Sequence, residues 1–338
     1  MIIYKQLNIH GDNIVECERA FDLIKTALAK HIEHITGPKG SASCPIFEIF
    51  LKSIKEPLTI TFFPGFGRWN EDILSLIRKR GGTLREAADV IITSVQSGLE
   101  EPLIAIEYCG ALPAGNQVWQ RSGRAYSFGL ARVPYLYVAE LGGYELNGNR
   151  ERQASRMPNP AIPFSYLSYY IEQDTPVIPI FMTSPGADES SRQKYADEFG
   201  DNGLITLMRS LLMNENPNNI YELLHRKVIA LVKKQATDSK NSRTLTSQQW
   251  ESLYNTIKKR QSLVQFLVDQ APLKWSKTAY IAALTTSAKK LMRLASKYGI
   301  GLTSTQLPMC IIPNKNVNTD LKLIKTPNEK RIKHRTKN

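Results

Sequence analysis

One block of the chain restricts the fold more than any other, because strand and helix patterns alternate within it. Residues 89–95 read DVIITSV and residues 102–109 read PLIAIEYC, two apolar, β-branched runs joined by the turn-forming stretch QSGLEEP. Residues 116–133 then have the spacing of a helix, and residues 135–141, YLYVAEL, return to a strand pattern. The block predicts a β-hairpin followed by a helix and a third strand.

The flanking sequence extends this alternation in both directions. Upstream, a helical pattern over residues 11–32 precedes two β-rich runs that form a strand pair, and a further helix lies between Asn70 as its cap and the stop residues Gly81 and Gly82. Downstream, a helix and the strand 176–183 precede a purely helical last third. The predicted fold is mixed α/β, with a central mixed sheet flanked by helices.

A change in composition divides the chain. Residues 183–193, TSPGADESSRQ, are turn formers and polar residues, which predicts a boundary near residues 183–202. We expect a core over residues 1–200, a basic helical region for DNA binding or dimerisation over residues 201–312, and a flexible basic tail over residues 313–338. A solvated tail that serves only solubility is the alternative for the last of these regions.

Composition excludes several classes of protein. Of the 338 residues, 42% are hydrophobic and 22% are charged, and no apolar run approaches the roughly 20 residues that span a bilayer. The first residues lack the order of a secretory signal, so we expect a cytoplasmic protein with no membrane partner. The four widely spaced cysteines predict reduced thiols, and the sequence lacks the motifs of P-loop hydrolases, zinc proteases and serine hydrolases.

The charge balance points to a polyanionic partner. Lysine and arginine number 44 against 31 acidic residues, a formal net charge of +13. Such a surplus favours nucleic acid, because each phosphate neutralised releases condensed counterions. An anionic membrane surface is the second interpretation.

Two carboxylates supply the chemistry. Asp89 opens the first strand of the hairpin and Glu107 lies near the end of the second, with 17 residues between them. Neighbouring strands are about 4.8 Å apart, so acids at the same edge of the hairpin can hold one divalent ion. Mg²⁺ prefers such oxygen ligands and can activate water toward phosphorus, which predicts phosphodiester hydrolysis. The alternative is an ordinary strand-end acid and a buried ion pair.

This arrangement resembles the PD-(D/E)XK nuclease superfamily, known best from type II restriction endonucleases. The resemblance covers about the first 200 residues, with Asp89 as the first acid and Glu107 as the second. Cys109 stands where the motif has its lysine, so the positive charge must come from elsewhere. The following helix offers Gln117, Gln120 and Arg124, which share one helical face, and Arg124 is the candidate for this charge. The alternative is that these residues solvate an exposed face or contact DNA phosphates.

The resemblance also implies a third metal ligand and a base-reading surface. Glu16 or Glu18 in the N-terminal helix matches an acid that several family members place near the metal, and we select Glu18; Asp12 or Asn13 next to it can serve only as a helix cap. Glu140 closes the third strand and can pair with Arg132 or support the site from behind. The loop GYELNGNRERQASRMPNP carries groups suited to the edges of bases, or forms a plain surface loop. Its DNA-binding candidates are Asn149, Arg150, Arg152, Gln153 and Arg156.

The sequence therefore predicts a Mg²⁺-dependent, site-specific endonuclease of double-stranded DNA. By resemblance it is a type II restriction enzyme of a restriction-modification system, acting as a homodimer on a symmetric site. A cognate methyltransferase would be encoded alongside without being a physical partner. Two alternatives stay open: a defence- or transposon-associated nuclease that cuts DNA or RNA within a larger assembly, and a non-catalytic nucleic-acid-binding protein.

Overall fold

The computed structural model of the protein describes most of the first 238 residues and divides the chain into two compact units. The units are Met1–Pro158 with Gln173–Leu231, and Asn159–Glu172 with Val232–Asn338. The described residues are 4–52, 54–66, 73–82, 87–109, 115–141, 145–146, 152–153, 166–167, 169–170, 173–184, 186–238, 251 and 255. The first unit contains all the elements of the candidate site.

The first unit is built on a mixed sheet of eight strands. The strands of the unit, numbered along the chain, are β1 (Gln6–Gly11), β2 (Ile32–Ser41), β3 (Cys44–Leu51), β4 (Ile54–Pro64), β5 (Val90–Gln96), β6 (Leu99–Cys109), β7 (Tyr135–Leu141), β8 (Glu145–Leu146), β9 (Arg152–Gln153) and β10 (Val177–Thr183). The order across the sheet is β10-β7-β6-β5-β1-β4-β3-β2, and β8 pairs with β9 in a separate ribbon.

Helices cover this sheet. The described helices are α1 (Ile14–Leu28), α2 (Ile73–Lys79), α3 (Gly115–Leu130), α4 (Glu189–Lys194), α5 (Asp201–Leu212) and α6 (Asn218–Asp238). Helix α1 packs on β1 and β4 and against α5, whereas α3 packs on β7 and β10. The predicted boundary between residues 200 and 201 falls inside the first unit, because α5 belongs to the same core as α1.

Strand alternation separates two faces of the sheet. In β6, Ile104, Ile106 and Tyr108 join the apolar core that contains α1, so the residues between them point to the opposite face. Glu107 and Cys109 lie on that opposite face, where they meet side chains of α3. The alternation therefore directs both motif positions toward the helix that follows them in sequence.

The direction of the strands brings several strand ends to one edge. β1 is parallel to β4, β6 is parallel to β7, and β7 is parallel to β10, while β5 runs antiparallel to both β1 and β6. The carboxyl ends of the five parallel strands and the start of β5 consequently share an edge. Ligands of sheets flanked by helices commonly bind at such an edge.

Most of the predicted local structure is confirmed, with some corrections. The β5–β6 hairpin, α3, β7, β10 and the β3–β4 pair are present. The predicted turn QSGLEEP was too long: Ser97 and Gly98, with φ of 51° and 79°, make the turn, and Leu99 already begins β6. Asn70 and the helices predicted beyond residue 246 fall outside the described residues, apart from Glu251 and Asn255, which are helical.

Four described strands were not predicted: β1 and β2 of the large sheet, and β8 and β9 of the separate ribbon. None of the helices in the described part of the chain combines the length and apolarity that crossing a membrane requires. The mixed α/β sheet flanked by helices is confirmed.

Candidate active site

The two predicted acids face one another across the hairpin. Val90 is paired with Ile106, so the next position on each strand sets Asp89 opposite Glu107 at the carboxyl edge of the sheet. The Asp89 carboxylate accepts a hydrogen bond of 2.8 Å from the backbone N–H of Tyr108, the residue after Glu107. The antiparallel register thus brings together the pair that the sequence singled out.

Glu107 is enclosed by cationic donors. Its side chain has no exposed surface, and Arg121 donates from Nε to Oε1 at 2.8 Å. Arg124 donates from Nη1 to both carboxylate oxygens, at 2.9 Å and 3.1 Å, and the Tyr135 hydroxyl lies 3.4 Å from Oε2. Burial of a carboxylate is unfavourable without such partners, so α3 makes the buried position tolerable.

A cation also occupies the neighbourhood of Cys109. Nη1 of Arg121 lies 3.5 Å from the Cys109 sulfur, while Nε of the same guanidinium holds Glu107. Arg121 therefore contacts both Glu107 and Cys109, two residues apart on β6. Gln117 and Gln120 lie in the first turns of α3, where the structure does not describe their side chains.

A third carboxyl group comes from the first turn of α1. The Asn13 side chain caps this helix by accepting from the backbone N–H groups of Val15 and Glu16, at 2.9 Å and 3.1 Å. Burial raises the pKa of Glu16, and the charges of Asp12 and Glu107 raise it further, against the lowering effect of Arg19. Glu16, rather than the exposed Glu18, therefore lies within the electrostatic field of the two strand acids.

One oxygen of Glu16 is left without compensation. Oε2 of Glu16 is buried and accepts no hydrogen bond from any residue that the structure describes. A buried, unsatisfied carboxylate oxygen is costly, and such atoms concentrate where a water, an ion or a substrate binds. Glu16 Oε2 is therefore the carboxylate oxygen of the site with the greatest capacity to accept a further partner.

The pKa of Asp89 is raised, partly by the charges of the other two acids. Burial raises the pKa of Asp89 to about 6, and Glu107 and Glu16 contribute to that rise, while the Tyr108 backbone N–H and Arg121 act against it. Closely spaced carboxyl groups with raised pKa values are a common feature of metal and catalytic sites, although structural networks produce them as well.

Arg19 of α1 contacts two residues near the carboxyl edge of the sheet, Tyr108 and Glu140. Its guanidinium lies 3.9 Å from the centre of the Tyr108 ring and donates to Glu140 at 3.1 Å. Glu140 is thus the partner of Arg19, and Arg132 instead donates to the backbone carbonyl of Gln173. Glu140 supports the edge of the site through Arg19.

The described residues do not include a group of three or more acidic, histidine or cysteine side chains already arranged to hold a metal ion. At Glu107, both carboxylate oxygens are engaged by guanidinium groups of Arg121 and Arg124. Asp89 and Glu107 are therefore brought together at an edge where Glu107 already has cationic partners.

The predicted base-reading loop contains the small β8–β9 ribbon. Arg152 pairs with Leu146 and Gln153 with Glu145 in antiparallel register. Asn149, Arg150 and Arg156 lie outside the described residues, as do the side chains of Arg152 and Gln153.

Searches against protein-family profiles, curated proteins and solved structures each found no significant match to this chain.

Two residues of the site were not selected from the sequence. Glu18 was preferred to Glu16, and the helical offsets that group Gln117, Gln120 and Arg124 leave out Arg121. Arg121 and Arg124 are nevertheless three apart and therefore also neighbours on α3. Glu16 could be distinguished from Glu18 only by recognising β1, since the end of that strand fixes which side of α1 faces the sheet edge.

Proposed function

We propose that this protein is a Mg²⁺-dependent nuclease that hydrolyses phosphodiester bonds of double-stranded DNA. The observation that carries the proposal is the position of Asp89 opposite Glu107 at the carboxyl edge, with the uncompensated oxygen of Glu16 nearby. Carboxylate oxygens are the ligands that Mg²⁺ prefers.

The arrangement of elements supports a PD-(D/E)XK-like core. An acid precedes β5, a second acid lies two residues before the end of β6, and α3 then leads to β7, which is parallel to β6. This is the order of hairpin, helix and strand that the superfamily uses. The match concerns order and direction, and the lysine position is Cys109.

Each residue has a distinct role in this proposal. Asp89, Glu107 and Glu16 would hold the ion, and Glu18 is left out because it points to solvent. When bound, the ion polarises the phosphoryl group and lowers the pKa of the attacking water. Arg121 takes the place of the motif lysine and stabilises the negative charge that develops on the phosphate oxygens. Its guanidinium already lies against the lysine position at Cys109.

The proposed DNA partner rests on the charge of the protein, and the proposed homodimer rests on symmetry. The net charge of +13 suits a phosphate-rich partner. A homodimer would place one active site on each strand of a symmetric target, in the manner of a type II restriction enzyme. The basic segments, including the ribbon with Arg152 and Gln153, would supply phosphate and base contacts.

The decisive experiment measures cleavage. Full-length protein is incubated with a long linear duplex and Mg²⁺, with a chelator in the control reaction, and the ends of all fragments are sequenced. Discrete fragments with a common end sequence support site-specific cleavage, whereas a duplex left intact at every protein concentration refutes the enzymatic proposal.

Two neighbouring acids on α1 provide a matched pair of variants. Glu16→Gln should reduce cleavage by roughly 100-fold or more if its carboxylate holds the ion, while Glu18→Gln should leave it within about twofold. Asp89→Asn and Glu107→Gln should each abolish cleavage. Equal rates for the Glu16 and Glu18 variants would remove Glu16 from the ligand set.

A second function is favoured by the complete burial of Glu107. With zero exposure and bonds to Arg121 and Arg124, this carboxylate has the environment of a structural ion pair. The protein would then bind nucleic acid without cutting it. Retention of duplex binding in wild-type protein that never cleaves, under any divalent ion, supports this function over the first.

A further inference from the structure

Arg124 occupies the position at Glu107 that a bound cation would take. A single nitrogen, Nη1, contacts both carboxylate oxygens, at 2.9 Å and 3.1 Å. A divalent ion held by Glu107 would need the same carboxylate oxygens. The guanidinium therefore stands in for the positive charge that the proposed function assigns to Mg²⁺.

The two cations cannot occupy that place together. Glu107 has no exposed surface, so both positive charges would lie within a few ångströms of one another in a poorly hydrated environment. Repulsion between like charges is strong there, because little water screens it. Arg121, at 2.8 Å from Oε1, adds to the unfavourable field for an incoming ion.

The Arg124 side chain is long and partly accessible: 19% of its surface is exposed, whereas Glu107 has none. A guanidinium forms paired hydrogen bonds with phosphate as readily as with carboxylate. A DNA phosphate arriving at the carboxyl edge would offer Arg124 an alternative anionic partner.

We infer that Arg124 is a substrate-operated gate, which excludes the divalent ion from Glu107 in the unliganded protein and moves onto a DNA phosphate when substrate binds. The inference rests on the proposed nuclease function and adds its regulation. A metal ion would then be retained only when DNA is present, which prevents an ion from persisting in the site without a phosphodiester to hydrolyse.

Linkage gives the inference a quantitative form. If duplex binding raises metal affinity, metal must raise duplex affinity by the same factor. Coupling between two binding events in proteins is typically about 5- to 150-fold. Arg124 is the residue through which this coupling runs, so its removal should raise metal affinity in the absence of DNA and reduce the coupling toward one.

The first experiment measures Mn²⁺ binding to the full chain without DNA, by electron paramagnetic resonance of the unbound ion. Arg124→Gln should bind Mn²⁺ at least about tenfold more tightly than wild type. Arg80→Gln is the matched control: it removes the same charge from an ion pair of 2.6 Å with Glu101, which lies six residues along β6 from Glu107. Its Mn²⁺ affinity should stay within about twofold of wild type.

The second experiment measures affinity for a short duplex by fluorescence anisotropy, with and without Ca²⁺ as a divalent ion that leaves the duplex uncut. Wild type should bind the duplex at least about fivefold more tightly with Ca²⁺, and Arg124→Gln should lose most of that difference. The wild-type measurement needs no variant, so it tests the gate even if Arg124→Gln is poorly folded.

The outcomes separate the gate from the proposed function. If Arg124→Gln binds Mn²⁺ no more tightly than wild type, while Glu107→Gln abolishes Mn²⁺ binding, the gate is refuted and the metal site stands. If wild type shows no coupling between Ca²⁺ and duplex, the gate is refuted as well. If no divalent ion binds wild type with or without duplex, the metal site and the gate both fail.

Discussion

Replacing Asp89 with asparagine should make the protein more stable while it removes the proposed activity. Burial and the neighbouring acids raise the pKa of Asp89 from its ordinary 3.8 to about 6. The native state therefore binds a proton between about pH 3.8 and pH 6 that the unfolded chain does not, so stability falls as the pH rises through that window. Since a difference of one in pKa corresponds to about 1.36 kcal/mol, the ionised Asp89 carboxylate costs about 3 kcal/mol above pH 6.

Asparagine removes that cost and keeps the local hydrogen bond. Its side-chain carbonyl can still accept from the Tyr108 backbone N–H, which now lies 2.8 Å from the Asp89 carboxylate. The free energy of unfolding of Asp89→Asn, measured by urea denaturation, should exceed that of wild type by about 3 kcal/mol near pH 8 and by about 1.5 kcal/mol near pH 5.

The pH dependence of the stability gain in Asp89→Asn is the clearest test of this prediction. A gain that is the same at both pH values would mean that the Asp89 pKa is not raised, and a loss of stability near pH 8 would contradict the whole electrostatic description of the site. Glu18→Gln is the control, because this exposed acid on α1 should change the free energy of unfolding by less than about 0.5 kcal/mol at either pH.

Three other changes test separate parts of the structure. Glu107→Gln should lower the free energy of unfolding by about 3–5 kcal/mol, because it leaves two partly buried guanidinium groups without their carboxylate. Urea denaturation measures this change, and an effect below about 1 kcal/mol would contradict the buried ion pair. His225 is fully buried, and burial lowers its pKa from 6.5 to about 4. Between these pH values the imidazole is protonated in the unfolded chain and neutral in the native state, so stability should fall by about 3 kcal/mol as the pH drops from 6.5 to 4. In His225→Gln that fall should become smaller in the same unfolding series, and an unchanged fall would assign it to other groups. Residues 315–338 carry eight basic and two acidic residues. Their removal should reduce the slope of the logarithm of duplex affinity against the logarithm of salt concentration by roughly 0.9 for each phosphate that the tail neutralises. An identical slope would show that the tail neutralises none.

Local sequence pattern was sufficient to identify the strands that are apolar and buried over most of their length. The hairpin β5–β6 and the strand β7 carry long β-branched or aromatic runs bounded by turn formers, so their type and order followed from the sequence. The exact pairing of Asp89 with Glu107 did not follow from the turn, because the register that begins with Gln96 opposite Leu99 would set Asp89 opposite Ile106. A register shift between Ile92 and Thr93, which the sequence did not predict, sets Asp89 opposite Glu107 instead. The hairpin could therefore be predicted, whereas the alignment of its two acids depends on an irregularity in the pairing.

The strands β1 and β2 escaped prediction for opposite reasons. In β1, Asn8 and His10 are buried at 4% and 2% exposure, and both donate to Glu100, together with Thr93. Their polarity is satisfied by that tertiary network, which a local pattern does not contain. β2 is the edge strand of the sheet and is exposed along most of its length, so it lacks the apolar alternation that identifies a half-buried strand.

The partners of the acids were beyond sequence reasoning. Glu107 could be recognised as a carboxylate that needs compensation, but the choice between Arg121 and Arg124 depends on how α3 is rotated on β7 and β10. Glu16 and Glu18 differ by two positions on α1, and only the docking of that helix distinguishes an electrostatically coupled acid from a solvated one.

The central position of β1 has a consequence for how the site forms. β1 joins two groups of strands in the sheet, β2 to β4 on one side and the later strands β5, β6, β7 and β10 on the other. Its two neighbours, β4 and β5, are synthesised later, so the N-terminal strand must wait until about residue 96 has emerged before both of its edges can be paired. Asp89 and Glu107 can meet within their own hairpin before that step. Glu16 reaches them only when β1 docks, so the third carboxyl group enters the site at the same event that unites the two halves of the sheet.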